Sequence, residues 1–190
     1  MKNKILKLNL ELFGLQLFFA VLSFFVFPFF SWIDGWKWIH GVFVGWLLLG
    51  AIHSTFWQKG NKDYKNNVIY NNHLKDGQKP QKLNMANGAL YALPFLTINF
   101  MVLLLTFIFD NGSSFGDKVF LVHRVLLFSL ASFIPADKSV YYWPVCILLC
   151  FVMYLPCVTA YISGAHSFSI IEKYVPKIIF KSVKKDKKDK

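Results

Sequence analysis

Residues 12–33 read LFGLQLFFAVLSFFVFPFFSWI, a run of 22 residues without a single Asp, Glu, Lys or Arg. A transmembrane helix needs about 20 consecutive, mostly apolar residues, so this run is long enough to cross a bilayer. Three further runs, at 38–57, 88–109 and 141–162, have a similar length and also lack these charged residues. The sequence therefore predicts an all-α, polytopic membrane protein with four transmembrane helices.

The composition of the whole chain agrees with a membrane location. Of its 190 residues, 55% are hydrophobic and only 16% are charged, whereas soluble domains carry about 25% charged residues. The same figures exclude an intrinsically disordered chain, and three Cys are too few for a disulfide scaffold. We predict a single helical membrane domain over residues 1–181, followed by a disordered, Lys-rich tail at 182–190.

Lys and Arg are concentrated on one side of the predicted spans. Seventeen of the 21 cationic residues lie in 1–11, in 58–87 or after residue 163, and the other connections carry the remaining four. The positive-inside rule therefore predicts a multi-pass protein of the cell membrane with both termini in the cytoplasm. The last four residues, KKDK, also fit the dilysine pattern of endoplasmic reticulum retrieval, so the endoplasmic reticulum membrane is the alternative.

A fifth apolar run, VFLVHRVLLFSLASFI at 119–134, is only 16 residues long and contains Arg124. As a span it would place the Lys-rich tail outside the cell, and Arg at the bilayer centre costs about 2.5–3.5 kcal/mol. We therefore predict an interfacial or re-entrant helix on the outer side, with a true fifth span as the alternative. Asp117, His123 and Arg124 are candidates for an outer polar cluster, although Arg124 can instead pair with a phospholipid phosphate.

Three residues inside the predicted spans are candidates for polar contacts within the membrane. Asn99 lies near the centre of the third span, where an unpaired amide is costly, so it predicts a hydrogen bond to another helix or, alternatively, a substrate contact. Pro94 leaves one backbone carbonyl without its helical partner and predicts a kink. His53 is a candidate because ionisable residues within spans are often functional.

The cysteines are weak candidates for a metal site. Cys146, Cys150 and Cys157 share one face of the fourth span. Thiols on one face can bind Cu(I), but a free Cys is also a small buried hydrophobe. The sequence contains neither the HExxH motif of zinc proteases nor a phosphate-binding P-loop. We therefore predict no metal or other cofactor and no catalytic residue.

Three segments resemble a known group of proteins: NGALYALPFL at 87–96, HRVLLFSLASFIP at 123–135 and YLPCVTAYISG at 154–164. Together with the basic loop and tail, they make residues 58–181 similar to a group of small integral membrane proteins of low-GC Gram-positive bacteria. The resemblance implies a bacterial cytoplasmic membrane and assigns no role to any residue.

These observations predict a non-catalytic accessory or partner-binding membrane subunit. A small transporter or channel component is the alternative, and a membrane enzyme comes third. The expected partners are the bilayer itself, anionic lipid at the cytoplasmic face and another membrane protein. The Asn- and Lys-rich loop at 58–87 is expected to be solvated, with a docking surface for anionic lipid or a cytoplasmic partner as the alternative. Nucleic acid is not expected, because membrane topology already accounts for the excess of Lys.

Overall fold

The computed structural model describes residues 2–31, 36–74, 78–109, 114–134 and 141–166. Within these ranges the regular structure is entirely helical: α1 (Lys2–Ser31), α2 (Trp36–Asn72), α3 (Asn87–Ile108), α4 (Ser114–Leu126), a short 3₁₀ helix (Phe128–Phe133) and α5 (Tyr142–Ala165). Of these, α1, α2, α3 and α5 are long and apolar enough to cross a membrane. The predicted all-α membrane fold is therefore confirmed. The tail at 182–190 and the end of the first predicted span, at 32–33, lie outside the described residues.

The first two helices are longer than the sequence predicts. α1 begins at Lys2 rather than at residue 12, and α2 continues from residue 57 to Asn72. Adding residues to an existing helix costs little once its first turns have formed, and residues 61–72 contain no Pro or Gly. The first half of the loop expected at 58–87 is therefore helical.

The interior of the bundle is apolar and is built from all four long helices. Its buried side chains include Leu12, Leu48, Ile52, Phe56, Phe95, Leu103, Met153 and Cys157. Large apolar side chains also cover the outside, where Phe24, Phe29 and Trp46 are 66%, 80% and 73% exposed. An apolar exterior of this kind suits helices surrounded by lipid, because lipid tails solvate these side chains as well as a protein interior does.

Three Lys side chains lie together at one end of the bundle. Lys7 of α1 and both Lys59 and Lys62 of α2 line one surface pocket, and this end is called the Lys-rich end below. At the opposite end, the rings of Phe107 in α3 and Trp143 in α5 pack edge to face, with centroids 5.3 Å apart. The C-terminus of α3 and the N-terminus of α5 therefore lie together, at the end of the bundle opposite the Lys-rich end.

α4 enters the bundle from the opposite end and stops near its middle. The Phe115 ring at its start lies 4.9 Å from the Phe109 ring that follows α3. At its end, the Leu126 carbonyl accepts a hydrogen bond from Gln16, which lies near the middle of the candidate span Ile5–Phe29. With 13 residues, α4 is about 20 Å long, too short for a hydrocarbon core of about 30 Å.

The 3₁₀ helix leads the chain back to the end from which α4 came. Its Ser132 hydroxyl lies 3.3 Å from His40 Nδ1, and its Phe133 ring packs 5.6 Å from Trp38, both close to the start of α2. The predicted outer helix is therefore the entering arm of a re-entrant hairpin, formed by α4 and the 3₁₀ helix. The alternative of a fifth span is wrong, because the segment turns inside the bundle.

Candidate polar site at the re-entrant hairpin

One face of α1 carries a stripe of buried polar side chains. Asn9, Gln16 and Ser23 are 5%, 0% and 0% exposed and follow one another at intervals of seven residues. Seven residues make close to two helical turns, so the three side chains share one face. All three bond other parts of the bundle: Asn9 donates to the Tyr91 carbonyl of α3 at 2.9 Å, and Gln16 and Ser23 both reach the re-entrant hairpin.

Gln16 joins α1 to both α3 and α4. Its Nε2 donates to Asn99 Oδ1 at 2.9 Å and to the Leu126 carbonyl at 3.1 Å. Asn99 Nδ2 in turn donates to the Phe95 carbonyl at 2.9 Å and to Gln16 Oε1 at 3.4 Å. The last carbonyls of a helix have no partner within the helix, and leaving one unpaired in a buried site costs about 1–3 kcal/mol. Gln16 supplies that partner at the end of α4.

Ser23 bonds the start of the 3₁₀ helix, on the other side of the turn that follows α4. Its hydroxyl donates to the Phe128 carbonyl at 3.1 Å, so its single hydrogen is used. The contact of 2.9 Å between Ser23 Oγ and His40 Nε2 therefore requires the imidazole to donate from Nε2. In the neutral ring Nδ1 is then an acceptor, and the Ser132 hydroxyl can donate to it across 3.3 Å.

The three residues expected to form an outer polar cluster have different surroundings. Asp117 is exposed on α4, whereas His123 is 2% exposed and its Nδ1 lies 2.8 Å from the Tyr142 hydroxyl of α5. His123 Nε2 is buried without a hydrogen-bond partner among the described residues. The guanidinium carbon of Arg124 lies 5.6 Å from the centroid of the Phe120 ring. His123 therefore ties α4 to α5, while Arg124 faces a groove on the outside of the bundle.

Of the three intramembrane candidates, only Asn99 belongs to the polar network at the hairpin. His53 is exposed on α2 and lines a shallow groove with Pro156 and Thr159 of α5. Pro94 is half-buried, and α3 continues through it as one helix. The kink at Pro94 stays a prediction.

A second polar cluster fastens α2 to its neighbours at the Lys-rich end. Lys59 forms an ion pair with Asp63 one turn later, and its Nζ lies 4.6 Å from the centroid of the Tyr91 ring. The Tyr161 hydroxyl of α5 donates to the second oxygen of Asp63 at 3.0 Å. Sequence reasoning missed this cluster because Asp63 and Tyr161 are 98 residues apart.

Cys146, Cys150 and Cys157 are buried free thiols, and the described residues bring together no group of three or more His, Cys, Asp or Glu that could hold a metal ion. No protein-family model, curated protein or solved structure matches this chain.

Proposed function

We propose that this chain is a non-catalytic membrane subunit that binds a partner protein at its Lys-rich end. The length of α2 supports this function. Its 37 residues make a helix about 55 Å long, whereas about 20 residues are enough to cross the hydrocarbon core. The last part of α2 therefore extends beyond the bilayer.

The extension carries large apolar side chains that lipid tails do not cover. Tyr64, Val68 and Ile69 are 37%, 37% and 57% exposed, and these three residues are called the docking patch. Exposed apolar side chains need no explanation inside lipid, but outside it a group of them is typical of an interaction site. An amphipathic helix of this kind fits an apolar groove on a partner. Because Lys62 and Lys65 flank the patch, the groove is expected to have an acidic rim.

The docking patch lies on a helix that the rest of the protein holds in place. The Tyr161 hydroxyl of α5, which bonds Asp63, and the Tyr91 ring of α3, which contacts Lys59, anchor its base. Further along, the Asn71 side chain forms two hydrogen bonds with the backbone of Gln81, of 3.0 Å and 2.9 Å, and so ties the following segment to α2. A rigid helix loses little conformational entropy on binding, which supports a docking role.

We also propose that the Lys-rich end faces the cytoplasm and that the protein resides in the cytoplasmic membrane. The even number of candidate spans and the excess of Lys on one side support this orientation. Anionic lipid at that face is then an expected second partner of the Lys side chains, each of which contributes about 1 kcal/mol near such a surface.

Photo-crosslinking in native membranes tests the proposal. A photoreactive residue at position 69 should give one abundant adduct, and Ile69→Asp should abolish copurification of the same partner in mild detergent. Asn67→Asp is the matched control, because it adds the same charge to the same helix on the face opposite Ile69. Absence of a stoichiometric partner, or copurification that Ile69→Asp leaves unchanged, would contradict the proposal.

A transporter or channel component is the second candidate, and the re-entrant hairpin favours it. Interrupted helices with polar contacts at mid-membrane depth occur at the binding sites of many transporters. Here the interruption at Leu127 lies beside Gln16 and Ser23. Substrate flux in proteoliposomes that contain only this chain would favour this candidate over the accessory subunit.

A further inference from the structure

A polar cleft lies at the Lys-rich end, between the last part of α2 and the segment that leads into α3. Its volume is about 420 Å³, within the range of about 300–1,000 Å³ that is typical of small-molecule sites. Three parts of the chain line it: α2 with Asn66 and Tyr70, the following segment with Gln81 and Asn84, and α3 with Tyr91. It is called the carboxamide cleft below.

Hydrogen bonds hold the walls of the carboxamide cleft together. The Asn71 side chain of α2 bonds the backbone of Gln81 twice, at 3.0 Å and 2.9 Å. Asn84 Oδ1 accepts a hydrogen bond of 3.0 Å from the Ala86 amide, within the turn before α3. The cleft is therefore formed before a ligand enters it, which lowers the entropic cost of binding.

The lining of the cleft is rich in carboxamides and low in net charge. Asp63 and Lys82 are its charged members among the described residues, and their charges have opposite signs. A carboxamide both donates and accepts hydrogen bonds, as a hydroxyl group does. A neutral ligand with several hydroxyl groups therefore matches this lining better than an ion or an apolar molecule. Five side chains of the lining are carboxamides: Asn66, Asn67, Gln81, Asn84 and Asn87.

Tyr70 adds an aromatic surface to the cleft. It is 47% exposed, so a ligand can reach its ring. The Tyr91 ring is more occupied, because Lys59 Nζ lies 4.6 Å from its centroid and the Tyr161 ring packs against it at 5.7 Å. A sugar ring has C–H groups on its faces and hydroxyl groups around its edge. One face can therefore pack on Tyr70 while the edge bonds the carboxamides.

We propose that the carboxamide cleft binds an uncharged sugar ring, as the headgroup of a glycolipid or as a free sugar. Asp63 lies one turn beyond Lys59, close to the point where α2 leaves the hydrocarbon core, so both sources can reach the cleft. Asn66 and Tyr70 are each two residues from Val68 of the docking patch, which places them on the opposite face of α2. The site therefore does not depend on the proposed function.

Native mass spectrometry of the full-length protein tests the site, in a detergent without a sugar headgroup that could compete. Glucosyl and galactosyl diacylglycerol are compared with diacylglycerol and phosphatidylglycerol of identical acyl chains. We expect at least one glycolipid to bind roughly tenfold more tightly than diacylglycerol, the difference that one or two net hydrogen bonds provide. Tighter binding of phosphatidylglycerol than of either glycolipid would overturn the proposal, because the ligand would then be an anion.

Free glucose and free galactose, titrated by calorimetry, distinguish the two sources. Binding of a free sugar, with displacement of the glycolipid, would support the site and show that the ring alone is sufficient. Binding of a glycolipid without binding of the free sugar would support a site for a lipid headgroup. If neither sugar binds and both glycolipids bind only as tightly as diacylglycerol, the proposal is overturned.

Two substitutions within the cleft test its location. Tyr70→Ala removes the aromatic surface, and Asn66→Ala removes a carboxamide. Both positions are exposed, so folding should be preserved. Each variant should lower the affinity for the sugar-containing ligand roughly tenfold and leave diacylglycerol binding unchanged. Unchanged sugar affinity in both variants would overturn the proposal, because the sugar would then bind elsewhere.

Matched controls use the same residue types outside the cleft. Tyr64→Ala and Asn72→Ala change exposed residues of α2 that do not line it. Neither should alter sugar affinity, whereas Tyr64→Ala should weaken copurification of the partner protein, so the two proposals can fail separately. If both controls weaken sugar binding as much as Tyr70→Ala and Asn66→Ala do, the effect is a general one on α2 and the proposal is overturned.

Discussion

Gln16 and Asn99 form a reciprocal pair of carboxamides in the interior of the bundle, with Gln16 Nε2 2.9 Å from Asn99 Oδ1. The same nitrogen also donates to the Leu126 carbonyl. One side chain of α1 therefore connects α3 with the last turn of α4. Since Asn99 bonds only Gln16 and its own helix in the described contacts, the two residues are expected to contribute unequally to stability.

Replacing either carboxamide with Leu should destabilise the protein, and Gln16→Leu should cost more. Asn99→Leu removes an interhelical bond, worth roughly 0.6–2 kcal/mol in membrane proteins. Gln16→Leu also leaves the Leu126 carbonyl unpaired, which costs about 1–3 kcal/mol. The free energy of unfolding in mixed micelles of increasing SDS content measures both. The double variant should lose less than the sum of the single losses. Strict additivity would show that the two side chains do not interact.

Gly60→Ala should weaken the contact between α2 and α5. A Cβ at Gly60 would overlap the Tyr161 carbonyl, a backbone atom that cannot move without shifting α5. Overpacking of this kind costs roughly 1–3 kcal/mol. Gly50→Ala is the matched control on the same helix, because a Cβ there meets no atom within 4 Å. Thermal unfolding in detergent should therefore separate the two variants, and equal midpoints would contradict the close approach of these helices.

Much of the fold follows from the sequence because lipid imposes a simple rule on length and polarity. Four uncharged runs of about 20 residues predict four spanning helices, and Arg124 in a short apolar run predicts a segment that does not cross. The seven-residue spacing of Asn9, Gln16 and Ser23 is also visible in the sequence and marks one polar face of α1. Sequence alone shows which side chains need partners, but the partners themselves depend on packing.

Other features could not be predicted from the sequence because they depend on contacts between residues that are far apart in the chain. Gly60 of α2 lies against the Tyr161 carbonyl of α5, and Gly164 of α5 lies against the Trp57 carbonyl of α2. No local motif in the sequence predicts these contacts between two helices. The extension of α2 to Asn72 continues an existing helix at little cost, and contacts with α5 and with the segment at Gln81 hold it in place. In the predicted outer polar cluster, His123 lies against the Tyr142 hydroxyl of α5, a partner that no local pattern of the sequence indicates.

Ser23→Ala should loosen the re-entrant hairpin. The substitution removes the donor to the Phe128 carbonyl and the acceptor for His40 Nε2, and each loss leaves a buried group unpaired at a cost of about 1–3 kcal/mol. Faster hydrogen exchange of the 3₁₀ helix Phe128–Phe133 is the expected signature. Ser54→Ala, at an exposed position of α2, should leave that exchange unchanged. If both variants exchange alike, Ser23 does not hold the turn.

Cysteine labelling tests the orientation that the Lys asymmetry predicts. In a background with Cys146, Cys150 and Cys157 replaced by Ala, single cysteines at positions 65 and 182 should react with a membrane-impermeant maleimide only after the cells are opened. A cysteine at position 118, near the start of α4, should react in intact cells, because α4 begins at the end opposite the Lys-rich end. The reverse pattern would invert the topology. Labelling of positions 65 and 182 from opposite sides would require an odd number of spans. The segment formed by α4 and the 3₁₀ helix would then have to cross the bilayer, which would contradict the re-entrant hairpin.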